Sequence, residues 1–254
     1  VIILAALTFM LAGYNPGDEP PPLPEEKLGR CFIGEVHLQG VAKDYCIQPV
    51  DADRERLMNT PVVDYDHKPL VPTFSVRGTL GGGASIHTCQ EWMLARSQGF
   101  SPHTPRDDAA ADFFARTCGA LGALLTARGA NTSFITGDGT ELIKTEFVPA
   151  EVLALAPFAP PASRSYGFSI ADLRERDGVL IMDHKIAPIE LKYGESYFSV
   201  KDVGRADVNR DGLEDLIVLV IADDAKTDTH VARVAYLTRR SATGDFEVVR
   251  PAND

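Results

Sequence analysis

The sequence predicts an α+β fold: an antiparallel, β-rich domain with an αα-hairpin and, near the C-terminus, one β-hairpin closed by an acidic loop. Three observations predict it. From residue 178 to 249 a series of short apolar runs is separated by Gly- and Asp-containing turns, as in strands that pair with their neighbours in sequence. From 88 to 129 the apolar residues recur instead at helical spacing, behind two capping signals. Between two of the later runs, Asp207 to Asp215 concentrates oxygen-bearing side chains around a glycine. The chain has 254 residues, 44% of them hydrophobic, enough for a sizeable core.

Residues 1–13, from Val1 to Gly13, carry no charge. A membrane-spanning helix needs about 20 apolar residues, so this run fits the apolar region of a secretory signal better than a transmembrane span. Leu11-Ala12-Gly13 has the form of the start of a bacterial lipobox, but Tyr14 stands where that motif needs cysteine. Residues 14–30 include Asn15-Pro-Gly-Asp-Glu-Pro-Pro-Pro-Leu-Pro, in which proline blocks both helix and ladder, leaving a stiff tether. Signal, tether and domain in that order predict an exported protein, periplasmic or at the cell surface.

Four cysteines, Cys31, Cys46, Cys89 and Cys118, form no Cys-x-x-Cys pair and have no histidine at zinc-finger spacing. Two disulfides suit an oxidising compartment. Of three connectivities, Cys31–Cys46 with Cys89–Cys118 is favoured, because each pair brackets a plausible hairpin. Closing such a loop contributes roughly 3 kcal/mol on the chain-entropy model.

The segment 31–155 mixes a β-hairpin with the helical hairpin. Residues 31–49 alternate loosely about a turn at Gly40, with His37 as a structural residue of the first strand. Thr73-Phe-Ser-Val-Arg reads as a strand. Gly78-Thr-Leu-Gly-Gly-Gly-Ala-Ser85 lacks the Gly-Lys-Ser/Thr ending of a phosphate loop and reads as a flexible connection. Thr88-Cys-Gln-Glu91 is a capping box, and Gly99 a stop, for a helix that turns Trp92, Met93 and Ala95 inward. Thr104, Pro105 and Asp107 start a second helix, with Phe113, Phe114, Cys118, Leu121 and Leu125 on one face and Gly129 at its end. A short helix is expected near Pro149-Ala-Glu-Val-Leu-Ala. The proline-rich run 156–162 then leads into a β-rich segment, 162–254, with strands at 178–182, 189–192, 197–200, 215–221, 229–237 and 246–249.

Net charge is −11 and pI about 5.0, which excludes a general nucleic-acid binder and a polybasic contact with anionic lipid. No Gly-x-Ser-x-Gly, His-Glu-x-x-His or P-loop pattern occurs. Asp66-His67 and Asp183-His184 are sequential pairs, and adjacent strand residues point to opposite faces, so neither builds a relay by itself.

Chemistry concentrates in Asp207-Val-Asn209-Arg-Asp211-Gly212-Leu213-Glu214-Asp215. Oxygen-bearing side chains fall at loop positions 1, 3, 5 and 9, with glycine at 6 supplying a positive φ. Two like charges about 5 Å apart cost roughly 3 kcal/mol at an effective dielectric near 20, so gathering these acids into one turn calls for a cation. Ca²⁺ suits oxygen ligands in irregular geometry, whereas Mg²⁺ demands near-octahedral placement. The expected ligands are the side chains of Asp207, Asn209, Asp211 and Asp215 and the carbonyl of Leu213, with Glu214 facing solvent. An EF-hand is excluded, because position 12 is Val218, inside an apolar run, where that loop needs a bidentate glutamate.

The stretch Gly204-Arg-Ala-Asp-Val-Asn-Arg-Asp-Gly-Leu-Glu-Asp-Leu-Ile-Val resembles the FG-GAP/VCBS motif of integrin-α-like β-propellers. The resemblance implies the same five ligands and a metal that holds two strands together. Propellers repeat the motif, and here it stands once. The expectation is therefore a single calcium-loop β-hairpin inside an α+β domain. With structural Ca²⁺ as its cofactor, the chain is expected to be a non-catalytic structural or interaction protein of the cell envelope with a protein or glycan partner. A calcium-dependent envelope hydrolase and a polysaccharide-binding module are the alternatives. A single tryptophan weighs against the stacked aromatic platforms that sugars favour.

Overall fold

The computed structural model describes residues 28–34, 36–48, 50–76, 83–102, 104–135, 142, 144–182 and 189–252. The signal-like run, most of the tether, most of the glycine-rich connection and Asp183-His184 lie outside these residues. In chain order the elements are β1 (Cys31–Phe32), α1 (Val50–Met58), β2 (Thr73–Val76), β3 (Ala84–Ser85), α2 (Cys89–Ser97), β4 (Phe100–Pro102) and α3 (Pro105–Thr126). Short 3-10 turns follow at Ala150–Leu155 and Pro161–Arg164. Then come α4 (Asp172–Arg176), β5 (Leu180–Met182), β6 (Ile189–Tyr193), β7 (Ser196–Ala206), β8 (Asp215–Asp224), β9 (Thr229–Arg239) and β10 (Phe246–Val249).

The later strands form an antiparallel meander in the order β10-β9-β8-β7-β6-β5, curled into a half-barrel, with β1 added to β7 at Cys31↔Arg205 and Phe32↔Gly204. All six strands expected between 178 and 249 are present. The smaller sheet has the order β3-β2-β4.

The unbroken run Leu216-Ile-Val-Leu-Val-Ile has a simple cause. β8 sits between β7 and β9, and both faces of the sheet are covered. Ile217, Leu219 and Ile221 enter one core with Leu57 of α1, Cys89 of α2, and Phe114, Leu121 and Leu124 of α3. Leu216, Val218 and Val220 enter the other, with Val152 and Leu153 of the first 3-10 turn and Leu173 of α4. A strand packed on one face would alternate; one packed on both need not.

Both helix starts follow the sequence. The Thr88 hydroxyl accepts from the Glu91 amide, and the Thr104 hydroxyl from the Asp107 amide, each as half of a capping box. Both favoured disulfides are formed, Cys31–Cys46 and Cys89–Cys118. His37 is buried against the edges of Tyr65 and Phe113, a core position.

Two expectations need correction. The tight turn between the helices is instead β4, which pairs with β2 over buried Phe74. Pro102 disfavours helical geometry at Ser101, so the chain leaves Gly99 extended. The two helices meet at the Cys89–Cys118 bridge and where Met93 abuts Gly122. The 31–49 hairpin survives only at its base, through the Cys31↔Cys46 bridge and the Phe32 amide to the Tyr45 carbonyl at 3.0 Å. Leu38 leaves to pair with Val62. Among the described residues no helix is long and apolar enough to cross a membrane.

Candidate functional site

The acidic loop joins β7 to β8, and the segment after α3 clamps it from outside. Arg128 and Asp207 exchange both backbone hydrogen bonds at 3.0 Å. The Gly212 carbonyl accepts from the amides of Asn131 and Thr132, and the Glu214 amide donates to the Thr132 carbonyl at 2.8 Å. With its backbone held on both sides, the loop turns through left-handed conformations at Arg210 (φ 65°) and Gly212 (φ 88°). The second is the position at which the sequence placed a glycine for that purpose.

Inside this frame the predicted residues converge. The two carboxylate oxygens of Asp207 accept from the amides of Asp211 and Gly212, both at 3.0 Å. The Asn209 amide group donates to Asp211 at 3.1 Å, and Asp211 accepts from the Leu213 amide at 2.9 Å. Oδ2 of Asp215 accepts from the amides of Val208 at 2.8 Å and Asn209 at 3.4 Å. Asp207 is 4% exposed and Asp215 0%.

Asp215 is the unbalanced member. Its Oδ1 is buried and makes no hydrogen bond. Thr238 of β9 lies near enough to favour the charged form, yet its hydroxyl also completes no hydrogen bond of good geometry. Burial pushes the Asp215 carboxyl up to about 6, with the Asp211 charge adding to the rise; the Thr238 hydroxyl and the two amides only partly oppose it. A buried acid with an unpartnered oxygen, next to a second buried acid, fits a cation-binding turn. Among the described residues no group of three His, Cys, Asp or Glu side chains is already gathered as a metal site. The turn is currently held by its own amides.

Glu214 does not face solvent. It is 8% exposed, accepts from the Ser133 hydroxyl at 2.6 Å and lies 3.9 Å from the Arg205 guanidinium. The partner at Ser133 is 81 residues away in sequence, so no local pattern announces the contact. Arg205 is thereby directed to Glu214, while Arg210 reaches the Thr126 carbonyl at 3.3 Å. Neither neutralises Asp215.

A second charged cluster was not foreseen. His230 of β9 is held between Asp112 of α3, 2.5 Å from Nε2, and Asp223 of β8, 2.6 Å from Nδ1. The Asp112 hydrogen bond raises its pKa most, Asp223 adds to this, and burial opposes both; the result is about 9. The ring is therefore an imidazolium at neutral pH and donates from both nitrogens. In that form it has no lone pair to accept a proton.

No family model matches the chain, and no curated protein or solved structure is similar to it.

Proposed function

We propose that this is an exported structural or interaction protein of the cell envelope, stabilised by a calcium ion in the β7–β8 loop. The side chains of Asp207, Asn209, Asp211 and Asp215 and the Leu213 carbonyl would hold the ion. When bound, it supplies positive charge beside Asp215, to which neither Arg210 of the turn nor Arg240, 3.9 Å from Asp211, is paired. The observation that carries the reading is the buried, unpartnered Oδ1 of Asp215 beside buried Asp207. The two disulfides support an oxidising compartment. His230 with Asp112 and Asp223, convergent from three elements beside a cleft, is the arrangement that favours the calcium-dependent hydrolase as the second reading.

The test is thermal unfolding of the chelator-treated chain with and without added Ca²⁺. A ligand at tenfold its Kd adds about 1.4 kcal/mol of stability, so the melting temperature should rise with Ca²⁺ and fall with EDTA. An unchanged melt, together with no calcium in the purified protein, would defeat the assignment.

A further inference from the structure

A groove of about 980 Å³ runs along α3, far in sequence from the calcium loop. One wall is β9, the other α2 with β2 and β4. Its floor is a stripe of small residues on α3: Ala111, Ala115, Gly119 and Gly122, at intervals of three and four. At the far end the helix is drawn tight against its neighbours. A Cβ on Gly119 would stand 2.4 Å from Val234, and one on Gly122 2.6 Å from Met93. The open floor therefore runs from Asp108 to Ala115, about 10 Å at helical rise. The β9 wall beside it runs on from Thr229 to Ala235, about 20 Å, a length that suits an extended chain of about seven residues better than a compact molecule.

Two features say what kind of chain. The first is an open strand edge. β9 pairs with β8 along Thr229 to Leu237, but with β10 only from Tyr236 onward. Among the described residues no strand pairs with the outer edge of Thr229–Ala235. That edge borders the groove and, apart from the Ala232 carbonyl held by Arg233, offers backbone donors and acceptors, the requirement for strand addition.

The second is charge. Arg96 of α2 and Arg233 of β9 both line the groove, and neither pairs with a carboxylate among the described residues. Each spends a nitrogen on a backbone carbonyl, Phe100 at 3.5 Å and Ala232 at 2.9 Å. Burial, and then the Arg233 charge, hold Arg96 below the usual guanidinium range, so the two cations are close enough to repel. Toward Asp228, about 16 Å back along the strand, the sign reverses. There the lining is Asp108 and Asp228, beside the His230 cluster.

We propose that this groove binds an extended peptide segment of a partner protein, added as a strand to the free edge of β9, with an acidic side chain or terminal carboxylate seated between Arg96 and Arg233. Trp92, Met93 and Tyr236 supply the apolar walls for alternate side chains. The proposal deepens the interaction-protein reading and rests on it, but it does not depend on calcium. A melt that responds to Ca²⁺ without any peptide binding would leave the loop assignment standing and remove this one.

The experiment uses the whole chain and a displayed library of random heptapeptides with free C-termini. Selected sequences should be enriched in an acidic residue or depend on the terminal carboxylate. Arg96→Gln and Arg233→Gln should each weaken them at least tenfold, the range of one charge-assisted hydrogen bond. N-methylation at alternate peptide residues should abolish binding, and amide resonances of Thr229 to Val234 should shift. No enrichment, equal binding to both glutamine variants, or equal binding of N-methylated peptides would each overturn the proposal; the last would indicate recognition of anionic groups alone.

Discussion

The β7–β8 loop and the His230 cluster meet the same difficulty in opposite ways. Each brings aspartates together in partly dry surroundings. At His230 the neutralising charge is part of the chain: an imidazolium donates to Asp112 and to Asp223. At Asp215 the carboxylate accepts from two backbone amides, with the Thr238 hydroxyl nearby, and Oδ1 completes no hydrogen bond of good geometry. The first cluster is complete in any buffer near neutrality. Among the described residues the second lacks a cation at Asp215, the position that the proposed calcium would serve. Acidity of the sequence therefore does not by itself mark a metal site; what distinguishes the two is whether the fold has already delivered a cation.

The largest effect that could break this comparison comes from the Cys89–Cys118 bridge, which ties α2 to α3 beside the groove. It closes a loop with a sequence separation of 29, so replacing both cysteines by alanine should cost about 3.5 kcal/mol. If the two ends are independent, the double variant keeps the full calcium increment in a denaturant titration. A lost increment would show that the loop depends on how α3 is held.

Next in size is Asp215→Asn. The folded-state pKa of about 6 lies above the ordinary 3.8. The ionised group therefore costs stability above that value, and the cost disappears as pH falls toward 4. Asparagine keeps an acceptor for the two amides and drops the charge. In EDTA near neutrality the variant should be about 2–3 kcal/mol more stable than the parent, while its response to Ca²⁺ is lost. A variant less stable than the parent in EDTA would contradict this account.

The smallest effect belongs to His230→Gln. Here the folded pKa, about 9, lies above the ordinary 6.5. The stabilisation is complete below 6.5 and is lost as pH rises through 9. Asp223 is 57% exposed, so solvent screening reduces the gain to about 1–2 kcal/mol. Urea unfolding of parent and variant should differ near pH 6 and converge near pH 10. A constant difference would mean that the imidazole contributes by packing rather than charge.

Much of the fold was legible because its signals are local. Thr88 with Glu91, and Thr104 with Pro105 and Asp107, announce helix starts within four residues of themselves. Gly212 announces its own φ. The later strands pair with their sequence neighbours, so finding them also finds the sheet. What escaped depends on long-range partners. Phe100-Ser-Pro102 looks like a turn until Phe74 supplies a strand to pair with. Glu214 looks solvated until Ser133 arrives, and His230 looks idle until Asp112, 118 residues earlier, closes on it. The acidic loop between two strands could be read from spacing alone, whereas the groove could not, since its walls come from four separate segments.

β8 has a consequence for how the molecule comes apart. Its side chains serve both cores, and its backbone is laddered on both sides. Neither core can open without breaking the strand that the other needs. Amide protons of Leu216 to Val220 should then be the last to exchange, and only through global opening. Despite the proline-rich run at 156–162, the chain should melt in one transition.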